Sequence, residues 1–263
     1  MHCAKTLVGL SIGTILVLLG GAGVRAQSQA AAGSASADCA DMLAISAKLS
    51  RAEGVLADWP NLARYRLANA NVEPPGKKEQ RVVFLGDSIT DVWVNPEFGG
   101  FFPGKPYVDR GISGQTTPQM LIRFRPDVIA LQPKVVVILA GTNDIAGNTG
   151  PMTLEQTEDN LASMADLATA NHIRVVLCSV LPAYDFPWHP GLEPAPNVVA
   201  LNTWIKSYAA EKAYVYVDYH SAMKDQRDGL PPSLSKDGVH PTAAGYAVMA
   251  PLVEAGIKSA LAQ

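Results

Sequence analysis

The chain has 263 residues, 48% of them hydrophobic, with 21 Lys and Arg against 24 Asp and Glu and a formal net charge of −3. That balance argues against nucleic acid or an acidic membrane surface as a partner. Taken in chain order, Lys5 precedes an uncharged run over 6–24 rich in Leu, Val and Ile, and Val24-Arg25-Ala26 places small residues where a signal peptidase would cut. Residues 1–26 are therefore expected to be a secretory signal peptide, which makes the mature protein secreted or periplasmic with no stable membrane insertion. An uncleaved anchor is the alternative, because the run approaches the roughly 20 residues that span a bilayer. Cleavage after Ala26 leaves 19 basic against 24 acidic residues and a net charge of −5.

Residues 27–38 contain only Gln, Ser, Ala, Gly and a final Asp. They offer too little apolar surface to offset their ordering entropy, and a disordered linker is expected. The remaining residues, 39–263, fit one α/β domain. Its N-terminal segment, 39–80, holds a helix over 42–56 and leads through 59–72 to the turn-rich Pro74-Pro-Gly-Lys-Lys78; it is expected to pack on the sheet as an accessory helix. Apolar runs at 81–85, 107–109, 134–140, 174–180 and 213–217 read as five strands. Continuous Val and Ile suit strands covered on both faces. Helices are expected over 153–171, where Thr153 and Gln156 have capping-box spacing, over 197–212, and over 243–261 behind Pro241. The alternation implies a three-layer α/β/α sandwich with a five-stranded, mainly parallel sheet of flavodoxin-like type, whose sites lie at the C-terminal ends of strands.

Three blocks map to that edge. Gly86-Asp87-Ser88 ends the first strand and delivers a hydroxyl to a helix start, Gly141-Thr142-Asn143-Asp144 follows the third, and Asp237-Gly238-Val239-His240 lies near the C-terminus. A serine attacks an ester only if a base takes its proton and a third group orients that base. Ser88, His240 and Asp237 supply these three types, with Gly238 free to turn the backbone between the last two. With Gly111 in Arg110-Gly-Ile-Ser-Gly114, the blocks resemble the SGNH hydrolases, the GDSL-type esterase and lipase superfamily, in the order that family uses. The resemblance implies a secreted serine esterase without a cofactor, acting through an acyl-enzyme. It assigns the oxyanion to the backbone N–H of Ser88, the backbone N–H of Gly111 and the side-chain amide of Asn143. Two positions depart from the family pattern: Asp109 stands where relatives often carry Asn, and Val92 where they often carry Gly.

The loop Pro182-Ala-Tyr-Asp-Phe-Pro-Trp-His-Pro190 brings Tyr184, Phe186 and Trp188 to the same edge. They are expected to line a pocket for acyl chains or a sugar face; a loop that merely covers the core is the other reading. The substrate expected is a small-molecule or carbohydrate ester with a short acyl group, such as O-acetyl on a carbohydrate. Lysophospholipids and acyl thioesters are the alternatives within the same superfamily, and a non-catalytic carbohydrate-binding protein is the rival from another class. No HExxH or Cys/His ligand spacing is present, so no metal site is expected. Asp218 and His220 form a rival pair at a strand end, and Gly9-Leu-Ser-Ile-Gly13 matches a nucleophile-elbow pattern only inside the apolar leader. Cys39 and Cys178 permit a disulfide in an exported protein, or Cys178 is a buried thiol in its strand.

Overall fold

The computed structural model describes residues 23–98 and 100–263, so most of the expected signal peptide lies outside the described residues. The chain divides into two units, Met1–Trp59 and Pro60–Gln263. In the first, helix α1 runs without a break over Gly23–Ala57. It passes through 27–38, where a disordered linker was expected. Low apolar content forbids a core there, but it does not forbid a helix whose hydrogen bonds close within the segment, and five alanines favour one. Every side chain from Ala40 to Ala57 is exposed, Met42, Leu43, Ile45 and Leu49 included. The accessory helix expected over 42–56 lies within α1. Among the described residues no helix is long and apolar enough to cross a membrane.

In the second unit a short helix, α2 (Arg66–Ala70), precedes β1 (Val82–Gly86), α3 (Ser88–Asp91), β2 (Tyr107–Gly111), α4 (Thr117–Asp127), β3 (Val135–Leu139) and α5 (Thr142–Ile145). Then follow α6 (Leu154–Ala170), β4 (Arg174–Cys178), α7 (Ala195–Glu211), β5 (Val215–Val217), α8 (Tyr219–Met223) and α9 (Ala243–Ala262). All five expected strands form, each within about two residues of its expected ends. They pair in the order β2-β1-β3-β4-β5, parallel throughout. That is the flavodoxin-like order, whose crevice lies at the β1/β3 switch point.

The two faces of the sheet divide by the period of two that strands impose. Val83, Leu85, Val136 and Ile138 pack with Phe124 of α4, Leu161 of α6 and Leu201 of α7. Val82, Phe84, Val135 and Val137 pack with Tyr246, Met249, Val253 and Ile257 of α9. Tyr246 also donates its hydroxyl to the Ile89 carbonyl at 2.7 Å, which ties α9 to α3 at the C-terminal edge of the sheet. Cys178 belongs to this second face and is a free, buried thiol; the side chain of Cys39, with which a disulfide was permitted, lies outside the described residues. Burial pushes that thiol up to about 12, which makes it inert at neutral pH.

Arg123, fully buried in α4, ties the C-terminal ends of β1 and β2 together. Its guanidinium donates to the Gly86 carbonyl at the end of β1, the Arg110 carbonyl in β2, the Gln115 side chain and Asp127. The planar fork reaches all four acceptors at once, which the ammonium of a lysine could not do.

Candidate active site

Ser88 opens α3 immediately after β1, with Asp87 as the helix cap accepting from the Ile89 N–H at 2.9 Å. Its Oγ lies 2.9 Å from His240 Nε2. His240 Nδ1 lies 2.7 Å from Asp237 Oδ2, and Gly238, at φ +80°, turns the chain between the two residues. Asp237 Oδ1 is held in place by the Ser235 hydroxyl and the N–H groups of Val239 and His240 at 2.8–3.0 Å. Burial works to raise the Asp237 carboxyl, but the hydrogen bond to the His240 ring, followed by those from the His240 and Val239 N–H groups, outweighs it and holds the group down at about 2. The carboxylate therefore stays charged far into acid. Facing a carboxylate, Nδ1 of a neutral His240 carries the proton and leaves Nε2 as an acceptor for a hydroxyl. A hydroxyl, an accepting imidazole and an orienting carboxylate are thus in hydrogen-bond sequence.

Asn143, buried in α5 behind β3, points its amide into the same crevice. Its Nδ2 donates to the Gln115 carbonyl at 3.0 Å and makes a long 3.4 Å contact with Asp87 Oδ2, so its second hydrogen is only weakly engaged. Its Oδ1 accepts from Asn148 at 2.7 Å.

Gly111 does not serve as the sequence suggested. Its N–H donates to Asp109 Oδ1 at 2.8 Å and its carbonyl accepts from Tyr65, so both backbone groups are spent inside the fold. Glycine is required there for packing: a Cβ would run into the backbone of Asp91 in α3. Gly114, three residues on, lines the cavity with Ser88, and its N–H donates to no group among the described residues. The glycine of this loop that shares the cavity with Ser88 is Gly114.

The aromatic loop is corrected in part. Trp188, 44% exposed, lines the cavity with its ring 6.2 Å from that of His240. Phe186 is fully buried and stacks beneath Trp188 at 5.1 Å, so it supports the wall without forming it. Tyr184 lies outside this cavity, under the Arg227 guanidinium and beside Glu193. Strand-like alternation in a loop sends neighbouring odd and even positions apart, but a proline at 187 and the turn at 186–189 break that simple pattern. Asn148 escaped the sequence reading altogether; its only signal was its place shortly after the Gly141 block.

The cavity measures about 560 Å³ and is open to solvent, with Val92, Phe98 and Pro241 as apolar walls. Among the described residues that line it there is no Lys or Arg. The rival pair does not assemble: Asp218 caps α8 through Ser221, and no hydrogen bond joins it to His220. Among the described residues no group of three or more His, Cys, Asp or Glu is placed to hold a metal ion.

Asp109 carries a measurable consequence. Its Oδ2 is covered and has no hydrogen-bond partner. Burial pushes the carboxyl up to about 7, against the Gly111 N–H, with Asp91 adding to the rise. A carboxyl raised in the folded state contributes stability below its unfolded value near 3.9, and that contribution is lost as pH rises through about 7. Asp109→Asn removes the titration. Between pH 4 and pH 8 the melting temperature of the wild type is expected to fall relative to this variant by on the order of a few degrees, read by calorimetry; parallel curves would refute it.

Residues 84–248 match the model of the GDSL-like lipase/acylhydrolase family. A solved structure from Bacteroides fragilis, provisionally assigned as an acylhydrolase, is 48% identical, with a TM-score of 0.73 over 77% of this chain and 98% of that one. A GDSL-like lipase from Bacteroides thetaiotaomicron is 46% identical, with a TM-score of 0.73 over 76% of this chain and 98% of its own. An acetylxylan esterase from Geobacillus stearothermophilus is 28% identical over 204 residues, 65% of this chain and 90% of its own.

Proposed function

Because the chain belongs to the GDSL-like lipase/acylhydrolase family, we propose that it is a serine esterase in which Ser88 attacks an ester carbonyl and His240 takes the proton. The observation that carries this reading is the continuous contact from Ser88 Oγ through His240 to Asp237, at 2.9 and 2.7 Å. Asp237 orients the imidazole and stabilises the imidazolium; His240 then returns the proton to the leaving alcohol, and water cleaves the acyl-enzyme. The negative charge on the carbonyl oxygen is received by the N–H of Ser88, which as the first residue of a helix has no intrahelical partner, by the N–H of Gly114 and by the Asn143 amide. No step requires a metal or cofactor.

The substrate proposed is a neutral ester with a short acyl group, such as acetyl on a carbohydrate. Two observations support it: the cavity lining lacks the cations that would grip a phospholipid or an acyl-CoA, and the Geobacillus relative is an acetylxylan esterase. Nucleic acid is not a partner in this reading. Rates on p-nitrophenyl esters of increasing chain length, set beside acetylated xylo-oligosaccharides, test it; a preference for long acyl chains would displace it. Export belongs to the same proposal, and N-terminal sequencing of protein recovered from the periplasm or medium is expected to begin at Gln27.

Trp188 forms the wall nearest the base, so Trp188→Ala should change which ester is preferred. An aromatic contact is worth about 0.5–1.5 kcal/mol beyond its area, which predicts a roughly several-fold shift in the ratio of kcat/KM between simple esters and acetylated sugars. The melting temperature should barely move, because the ring is half exposed. Equal losses on all substrates would remove Trp188 from substrate contact.

A further inference from the structure

Asn148 is exposed, yet all three of its side-chain hydrogen bonds go to groups of the site. Its Oδ1 accepts from Trp188 Nε1 at 3.1 Å, its Nδ2 donates to Asn143 Oδ1 at 2.7 Å, and the same Nδ2 makes a 3.4 Å contact with the Gly114 carbonyl. The polarity of this chain is not arbitrary. An indole N–H can only donate, so it compels the oxygen of Asn148 to face Trp188 and the nitrogen to face Asn143. Asn143 must then present its oxygen to Asn148 and its NH₂ to the opposite side, where the Gln115 carbonyl accepts one hydrogen and the second, in only a long 3.4 Å contact with Asp87, can turn to a developing oxyanion.

We propose that Asn148 is a positioning residue that couples Trp188, in the wall contacted by substrate, to the donor amide of Asn143. Resting on the esterase reading above, this makes the aromatic wall a determinant of turnover as well as of preference. A substrate group that seats Trp188 fixes the indole N–H, and through two amides fixes the donor that meets the oxyanion.

The variants that test it are Asn148→Asp and Trp188→Phe, each made alone and in an Asn143→Ala background. The aspartate at 148 still accepts from Trp188 but places a carboxylate against Asn143 Oδ1. If the Asn143 amide turns over to relieve this, its oxygen meets the Gln115 carbonyl, so the donor loses its fixed position either way. We expect Asn148→Asp to lower kcat by about 10- to 100-fold with KM changed less than threefold, a fraction of the 10²–10³ that a lost oxyanion donor costs. Trp188→Phe keeps the stack on Phe186 and loses only the N–H; it should lower kcat several-fold. Neither should add to the loss in the Asn143→Ala background. Side-chain amide signals of ¹⁵N-labelled protein give a reading independent of turnover: the Asn143 pair should shift in both variants. Unmoved Asn143 signals, or kcat losses that multiply with that of Asn143→Ala, would overturn the coupling. A wild-type protein that hydrolyses no ester would sink the esterase reading, and the amide signals alone would then judge the relay.

Discussion

Ser88→Ala is expected to lower kcat on any ester the protein hydrolyses by about 10⁶, the scale of losing a nucleophile that works as a unit with its base. The fold has no stake in the hydroxyl. Among the described residues Oγ hydrogen-bonds only with His240, and the helix it opens is capped by Asp87. Melting temperature should therefore stay at the wild-type value, and labelling by a serine-reactive phosphonate should vanish with activity. A variant that keeps a tenth of the rate while fully folded would end the serine mechanism.

Asp237→Asn is the second large effect, about 10⁴ in kcat, and it tests a finer point. An asparagine can keep its oxygen on the Ser235 hydroxyl and the two backbone N–H groups that now hold Oδ1, so the loop should remain in place. Its NH₂ then faces His240 Nδ1. That nitrogen must become an acceptor, the ring proton moves to Nε2, and His240 donates to Ser88 instead of accepting from it. Loss of rate without loss of fold is the expected outcome, measured as kcat beside thermal denaturation. A loss of less than tenfold would show that the carboxylate does not set the tautomer.

The strands were legible because Val and Ile runs buried on both faces leave a continuous apolar signal, and Val135–Leu139 is buried at every position. Helix α6 was legible for a different reason: Thr153 and Gln156 cap each other as their spacing implied. Helix α4 was missed although Thr116 and Gln119 form the same capping box. Its short, polar sequence carries Pro118 near its start and Pro126 near its end, and its buried face includes Arg123, Gln119 and Asp127, residue types that read as surface. β1 and β3 place Ser88 and Asn143 at one edge, and the loop before α9 brings His240 to it, so motif order carried most of the candidate site. Gly111 and Gly114 could not be told apart from sequence, because which N–H is spent depends on where the Asp109 carboxylate turns. Tyr184, Phe186 and Trp188 were likewise equivalent as letters. Only the local turn decides that one ring is buried, one faces elsewhere and one walls the cavity.

Ser88 and His240, the proposed nucleophile and base, are separated by 152 positions along the chain. On a chain made from its N-terminus, Ser88 exists long before His240, and until the last loop arrives its hydroxyl is an ordinary alcohol. The loop is brought home by α9, whose Tyr246 reaches the Ile89 carbonyl one residue beyond the serine. In the esterase reading, reactivity is therefore the last property that this chain order allows: a chain that ends before His240 carries a serine without its base, and a shortened form is expected to show no labelling by a serine-reactive phosphonate.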